Sequence, residues 1–251
     1  SPQGRGLGRG LPDRLIPIAI PQLPSGALNL EGPPSTPRPS ATVLLVRGKK
    51  PWELLLMRRP RGADFAPGAY VFPGGVVHDE DSQWGDEIAV AAVRELFEEV
   101  GILLARHGRR FAREADCRRV RALVAAGQSF GSALRSSGLQ PALDRLVLLA
   151  RWVTPAQMRR RYDARFYLAR LPAGQNVHPQ ADEVSEWLWV TPEKALGSDE
   201  ITLVYATQHV LASVSGDRDA TSLFRRVRRL SSVPIVEPRM TQTESGWEIA
   251  H

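Results

Sequence analysis

The chain has 251 residues, 43% of them hydrophobic, enough for one sizeable core in a single large domain with extensions. No apolar run approaches the ~20 residues of a membrane span, which excludes a helical membrane protein. A single cysteine, Cys117, excludes an internal disulfide framework; a reducing, cytoplasmic setting is expected, with Cys117 an unremarkable thiol.

The net charge of +6 is unevenly spread. Residues 104–165 hold fourteen arginines against four acids, Glu114, Asp116, Asp144 and Asp163. A second cluster, Arg225, Arg226, Arg228 and Arg229, lies near the C-terminus. Such fields attract anions, and arginine clamps phosphate in bidentate fashion. Aromatic residues are not interleaved with the basic runs, which argues against a nucleic-acid stacking platform.

Residues 1–40 hold nine prolines and six glycines and read as an irregular arm, with Leu15–Ile20 its one apolar stretch. No secretory signal is expected there. From residue 41 the chain reads as one domain. Ala41–Arg47 and Trp52–Arg58 read as strands joined by the turn at Gly48–Pro51. Val90–Val100 reads as a helix, and residues 117–146 read as mainly helical, broken at Gly127, Gly131 and Gly138. Strands are expected at 146–154, 165–171 and 183–190, and a helix starts at Thr191-Pro192-Glu193. Helices over 203–213 and 221–230 precede a closing hairpin at 235–249, turning at Glu244-Ser245-Gly246. Strands and helices mixed in this order predict an α/β sandwich.

The most informative segment is Arg94-Glu95-Leu96-Phe97-Glu98-Glu99-Val100-Gly101-Ile102, preceded by Phe72-Pro73-Gly74-Gly75. At roughly 100° per residue, Glu95, Glu98 and Glu99 share an arc of about 100° on one helix face. Val93, Leu96, Phe97 and Val100 fall on the opposite face. Three carboxylates this close repel one another unless a cation sits among them, and hard oxygen donors suit Mg²⁺ or Mn²⁺. Gly101 stops the helix as a C-terminal cap would.

These residues resemble the Nudix box, G-x5-E-x7-R-E-U-x-E-E-x-G-U with U apolar. The half from Arg94 to Ile102 matches at every defined position. The first half departs: Gly75 to Arg94 is 19 positions where the family has 14, so a longer loop is expected around His78–Asp81. Counting back from Arg94 places Asp86 where the family has an acid that salt-bridges the arginine.

The resemblance implies the Nudix α/β/α sandwich with a mixed sheet, and hydrolysis of a diphosphate in a small nucleoside diphosphate derivative. It implies Glu95, Glu98 and Glu99 as metal ligands, with Glu95 alternatively an acceptor that positions water. Arg94 is expected to orient a neighbouring carboxylate, and Gly74 and Gly75 to let backbone approach metal or phosphate. Glu183 stands where Nudix proteins often carry a further acid. Leu54–Arg59 followed by Gly68–Gly75 resembles the upstream signature of coenzyme A diphosphatases, with Arg58 a phosphate-binding candidate. An arginine of that signature is absent, Asp64 standing in its place. The long box loop, Trp152–Pro155 and Arg165–Tyr167 resemble the larger peroxisomal and mitochondrial branch. Coenzyme A or an acyl form is therefore the expected substrate. ADP-ribose, a dinucleotide or a nucleoside triphosphate is the alternative, and a DNA-binding Nudix regulator is the reading from another class. No membrane partner is expected, and the resemblance also allows a homodimer.

Overall fold

The computed structural model describes residues 18–20, 26–63, 66–244 and 246–250. In chain order the elements begin with β1 (Ile18–Ile20), β2 (Arg38–Gly48), β3 (Trp52–Arg58), β4 (Tyr70–Val71) and β5 (Gly74–Val76). A 3-10 turn over Asp79–Trp84 leads into α1 (Glu87–Val100), β6 (Ala105–His107) and β7 (Arg110–Phe111). Then come α2 (Glu114–Ala125), α3 (Phe130–Ser136), β8 (Gln140–Pro141), β9 (Val147–Val153), β10 (Tyr162–Arg170) and β11 (Glu186–Val190). The chain closes with α4 (Pro192–Gly197), α5 (Tyr205–Ser215), α6 (Ala220–Val227), β12 (Ile235–Val236), β13 (Arg239–Thr243) and β14 (Gly246–Ala250).

The main sheet is mixed and eight-stranded, in the order β11-β3-β2-β10-β9-β12, with β4 added to β3 and β5 to β2. β2 and β10 run parallel at its centre, and β3 folds back on β2 as the expected hairpin. Along β2, Val43 and Leu45 join one core while Leu44 and Val46 join the other, and all four are buried. Side chains on a strand alternate between faces, so apolar residues in both sets require cover on both sides. α1, α2 and α3 cover the first face through Val93, Leu96, Phe97, Cys117, Val120, Phe130 and Leu134. α4, α5 and α6 cover the second through Ala195, Val210, Leu211, Leu223, Phe224 and Val227. The fold is the α/β/α sandwich expected from the sequence.

Several details differ from the sequence reading. The helix expected from Val90 starts at Glu87, because the Asp86 side chain caps it. The helical run expected over 117–146 forms as α2 and α3, with Gly131 inside α3 rather than breaking it, and ends in β8, which joins β6 and β7 in a small three-stranded sheet, β7-β6-β8. The closing hairpin forms from β13 and β14, while Ile235–Val236 leaves it to pair with β9. Of the apolar stretch in the arm, Ile18–Ile20 pairs antiparallel with β14. Leu15–Pro17 and Ser245 of the closing turn lie outside the described residues, as does Asp64. Among the described residues no helix is long and apolar enough to cross a membrane.

Cys117 is 2% exposed in the core under α1, and burial followed by the Glu114 charge pushes its thiol up to about 11. The thiolate is the reactive form, so at pH 8 only about one molecule in a thousand carries it. Alkylation by iodoacetamide at pH 8 should therefore be at least about a hundredfold slower in the folded protein than in guanidinium. Its rate should climb roughly tenfold per pH unit above 8. Equal rates in both states would contradict the placement of Cys117.

Candidate active site

The site is built on α1. At its N-terminus the Asp86 carboxylate accepts the backbone N–H groups of Ile88 (3.1 Å) and Ala89 (3.2 Å). At its C-terminus Gly101 adopts a left-handed conformation, φ 75°, and its N–H closes on Phe97 O. Only glycine enters that conformation without strain, and a Cβ there would also run into the Arg121 guanidinium. Both ends are thus fixed, which sets the rotation of the carboxylate face.

Arg94 is 1% exposed, and all five of its N–H groups are used. Nε and Nη2 donate to Asp81 Oδ1 and Oδ2, each at 3.0 Å, in a bidentate pair. Nη2 also donates to the Val76 carbonyl at 2.8 Å. Nη1 donates to Glu95 Oε1 at 2.7 Å and Glu98 Oε2 at 2.9 Å. Burial alone would pull the guanidinium down, but the Asp81 hydrogen bonds and the charges of Glu95 and Glu98 raise it instead. The partner of Arg94 is therefore Asp81, and the expectation of Asp86 is corrected. Asp86 is committed to capping α1, and its nearest arginine is Arg165 at 3.8 Å. The residues lengthening the loop fold into the 3-10 turn that presents Asp81, which is itself 1% exposed and fixed by the His78 N–H.

Glu95, Glu98 and Glu99 line one side of α1, and none is a freely solvated acid. Glu99 is 6% exposed and accepts the Gly74 N–H at 2.7 Å. Burial, then the Glu95 charge, hold its carboxyl well above the usual range, with the Gly74 N–H pulling the other way. Burial also raises Glu95 and Glu98, and Arg94 opposes the shift in each. The predicted glycines are at the same place. A Cβ on Gly75 would collide with the Glu95 carboxylate, and one on Gly74 would collide with Ala41 O. β5 can lie this close to α1 because Gly75 has no side chain, and this close to β2 because Gly74 has none.

Glu183 is exposed, yet its charge raises both Glu95 and Glu99, so it lies within electrostatic reach of the cluster. Its loop is pinned to the end of α1, with His178 N–H on Val100 O and Gln180 N–H on Glu99 O, both at 2.9 Å. Arg58 is committed elsewhere, donating to Gly68 O (3.0 Å) and Glu186 Oε2 (3.2 Å) and facing the Tyr70 ring. The arginine whose charge acts on Glu99 is its neighbour, Arg59.

Glu95, Glu98 and Glu99 fit a hard divalent cation in donor chemistry. One oxygen of each (Oε2 of Glu95, Oε1 of Glu98, Oε1 of Glu99) carries no hydrogen bond among the described residues. Among those residues no three acids, histidines or cysteines are gathered so as to hold a metal ion as they stand, and Arg94 Nη1 pairs with both Glu95 and Glu98.

Comparison with known proteins agrees with this geometry. Residues 85–207 match the family model described as the NUDT19 Nudix domain. Over residues 85–207 the chain is similar to the Nudix superfamily. The Nudix match starts at Gly85, so Gly74, Gly75 and Asp81 precede it. A Nudix relative, the Caenorhabditis elegans "Putative nudix hydrolase 7", is 34% identical over 158 residues, covering 62% of this chain. This chain spans about half of that relative, 52% of its length. The crystal structure of a NUDIX hydrolase from Alicyclobacillus acidocaldarius is 26% identical with a TM-score of 0.66. It covers 80% of this chain and 99% of its own.

The two acids before α1 should behave differently. Asp81→Ala leaves a buried guanidinium without its bidentate partner and should cost about 3–5 kcal/mol of unfolding free energy. Asp86→Ala removes a helix cap and should cost about 1 kcal/mol. Urea titration of both variants tests the assignment, and the reverse ranking would refute it.

Proposed function

We propose that the chain is a divalent-metal-dependent hydrolase of the phosphoanhydride bond in nucleoside diphosphate derivatives. Coenzyme A or an acyl form is the proposed substrate, giving 3′,5′-ADP and the corresponding phosphopantetheine. The observation that carries the reading is the gathering of Glu95, Glu98 and Glu99 on one face of α1. Each has an oxygen with no hydrogen bond among the described residues, and Glu95 lies against Gly75 and Glu99 against Gly74. The coenzyme A assignment is supported by the NUDT19 Nudix model and by the Gly68–Gly75 segment that feeds this turn.

Glu98 and Glu99 would hold the ion, with Glu95 a third donor or the acceptor for water. Mg²⁺, or Mn²⁺ in its place, offsets phosphate charge and acidifies a bound water. The protein's own residues do the positioning. Arg94 fixes one oxygen of Glu95 and one of Glu98, and Gly74 N–H fixes one of Glu99, so each carboxylate keeps its other oxygen free of hydrogen bonds among the described residues. Gly75 leaves room for Glu95 to stay there. Glu183, whose charge reaches Glu95 and Glu99, would serve as a further acceptor for water.

Incubation with Mg²⁺ and a panel of coenzyme A, an acyl-coenzyme A, ADP-ribose, NADH and a nucleoside triphosphate, read by mass spectrometry, should release 3′,5′-ADP from the coenzyme A members. Glu98→Gln should lower kcat by about a hundredfold or more through loss of a metal donor. Gly75→Ala keeps every carboxylate but displaces Glu95, and should lower kcat by about ten- to a hundredfold with a near-native melting temperature. Cleavage of ADP-ribose alone would move the substrate, whereas full activity of Glu98→Gln would sink the mechanism.

A further inference from the structure

On the sheet face opposite α1, α6 and the end of β10 enclose a cleft of about 310 Å³ lined by Arg170, Thr221, Phe224, Arg225, Arg228 and Arg229. Its lining holds four arginines and no acid. The Arg170 guanidinium lies 4.7 Å from the Phe224 ring centre and that of Arg228 lies 5.6 Å from it. The two cations share one ring and repel each other. Burial and then the Arg228 charge hold Arg170 below the usual arginine range, with the Asp219 charge pulling the other way.

The nearby acids are engaged elsewhere. Asp217 is taken by Arg226, whose Nη2 is 2.6 Å from Oδ2 and also bonds Ser213 O. Asp219 caps α6 by accepting the Ser222 N–H at 2.8 Å, and it pairs with Arg218 at 3.4 Å. The basic cluster seen in the sequence thus divides. Arg226 serves the fold, while Arg225, Arg228 and Arg229 join Arg170 with no carboxylate partner among the described residues. Many arginines elsewhere on this protein do have one, including Arg47, Arg106, Arg110, Arg151, Arg161 and Arg165. Helix-dipole compensation accounts for a cation or two at the end of α6 but not for Arg170, which arrives from a strand.

We propose that this cleft is a second anion site, separate from the carboxylate cluster, that binds the phosphate group of a small phosphorylated molecule. Guanidinium forks match phosphate oxygens two at a time, and the concavity is the size of one small ligand. A bound dianion would relieve the repulsion between Arg170 and Arg228. The proposal does not depend on the reaction assigned to the other face.

The test is equilibrium dialysis of the full chain with radiolabelled pyrophosphate in EDTA, which denies phosphate any metal-bridged hold on Glu95, Glu98 and Glu99. Saturable binding should weaken at least about tenfold in Arg170→Gln/Arg228→Gln. It should be unchanged in Arg118→Gln, an exposed arginine of α2. Circular dichroism melting of each variant confirms folding, and Arg170→Lys/Arg228→Lys should retain part of the affinity by keeping the charge. Competition with inorganic phosphate and with AMP separates the sources. Equal potency per phosphate means the site reads phosphate alone, and stronger competition by AMP means it reads the attached nucleoside as well. Absence of saturable binding, or affinity undiminished in the folded double glutamine variant, would overturn the proposal.

Discussion

A guanidinium buried as deeply as that of Arg94 keeps its charge only if the lost hydration is replaced bond for bond. Removing an ion from water costs several kcal/mol even after relaxation, and one opposite charge repays this only with near-ideal geometry. Asp81 supplies that geometry with two 3.0 Å bonds, and Val76 O, Glu95 and Glu98 complete the set. The consequence is mechanical. Three consecutive chain segments (β5, the 3-10 turn and α1) meet at one side chain, and none can shift without leaving a buried donor unpaired. Lysine has three donors and no planar fork, so it could hold Asp81 or the glutamates, but not both sets at these angles.

The same guanidinium leaves the site electrically unfinished. Arg94 faces Asp81, Glu95 and Glu98, the Arg59 charge reaches Glu99, and the Glu183 charge reaches the cluster from the neighbouring loop. Asp81 is satisfied by Arg94 and the His78 N–H, so the excess falls on the three helix glutamates. Burial raises the pKa of all three, the direct expression of uncompensated charge in a poorly hydrated place. Protonation or a cation can relieve it. The oxygen-rich donor set suits a cation, and the bare backbone of Gly75 lets the Glu95 carboxylate stay close to the other donors.

Much of this was legible in the sequence. The helical angle between Glu95, Glu98 and Glu99 depends only on the 3.6-residue repeat, and the glycines flanking the site mark places where backbone must approach. What spacing could not supply was the partner of Arg94. Counting along the chain assumes a loop of fixed length, and it led to Asp86. A longer loop re-routes the backbone, and the partner becomes whichever acid the turn presents inward, here Asp81 from the run Asp79-Glu80-Asp81. That acidic run in the added segment was the available signal. The choice between Arg58 and Arg59 was equally closed to periodicity. β3 ends at Arg58, so the face that each side chain takes depends on how the following loop leaves the sheet. The strands β6, β7 and β8 span two or three residues each, too few for any alternation to register.

The arginine surplus divides along the same physical line. A formal charge says little about a surface until each cation is assigned its partner. Arg151 with Asp163 and Arg226 with Asp217 are pairs at 2.6 Å that contribute to local order and nearly cancel in the far field. The field that remains comes from cations whose nearest acids are already used. On α6 this follows from one substitution of roles: Asp217 and Asp219, the only acids between α5 and α6, are consumed by Arg226 and by the helix start. The helix therefore turns an unbalanced row toward Arg170. The sheet between the two helical layers keeps this positive cleft apart from the negative cluster on α1, so neither neutralises the other.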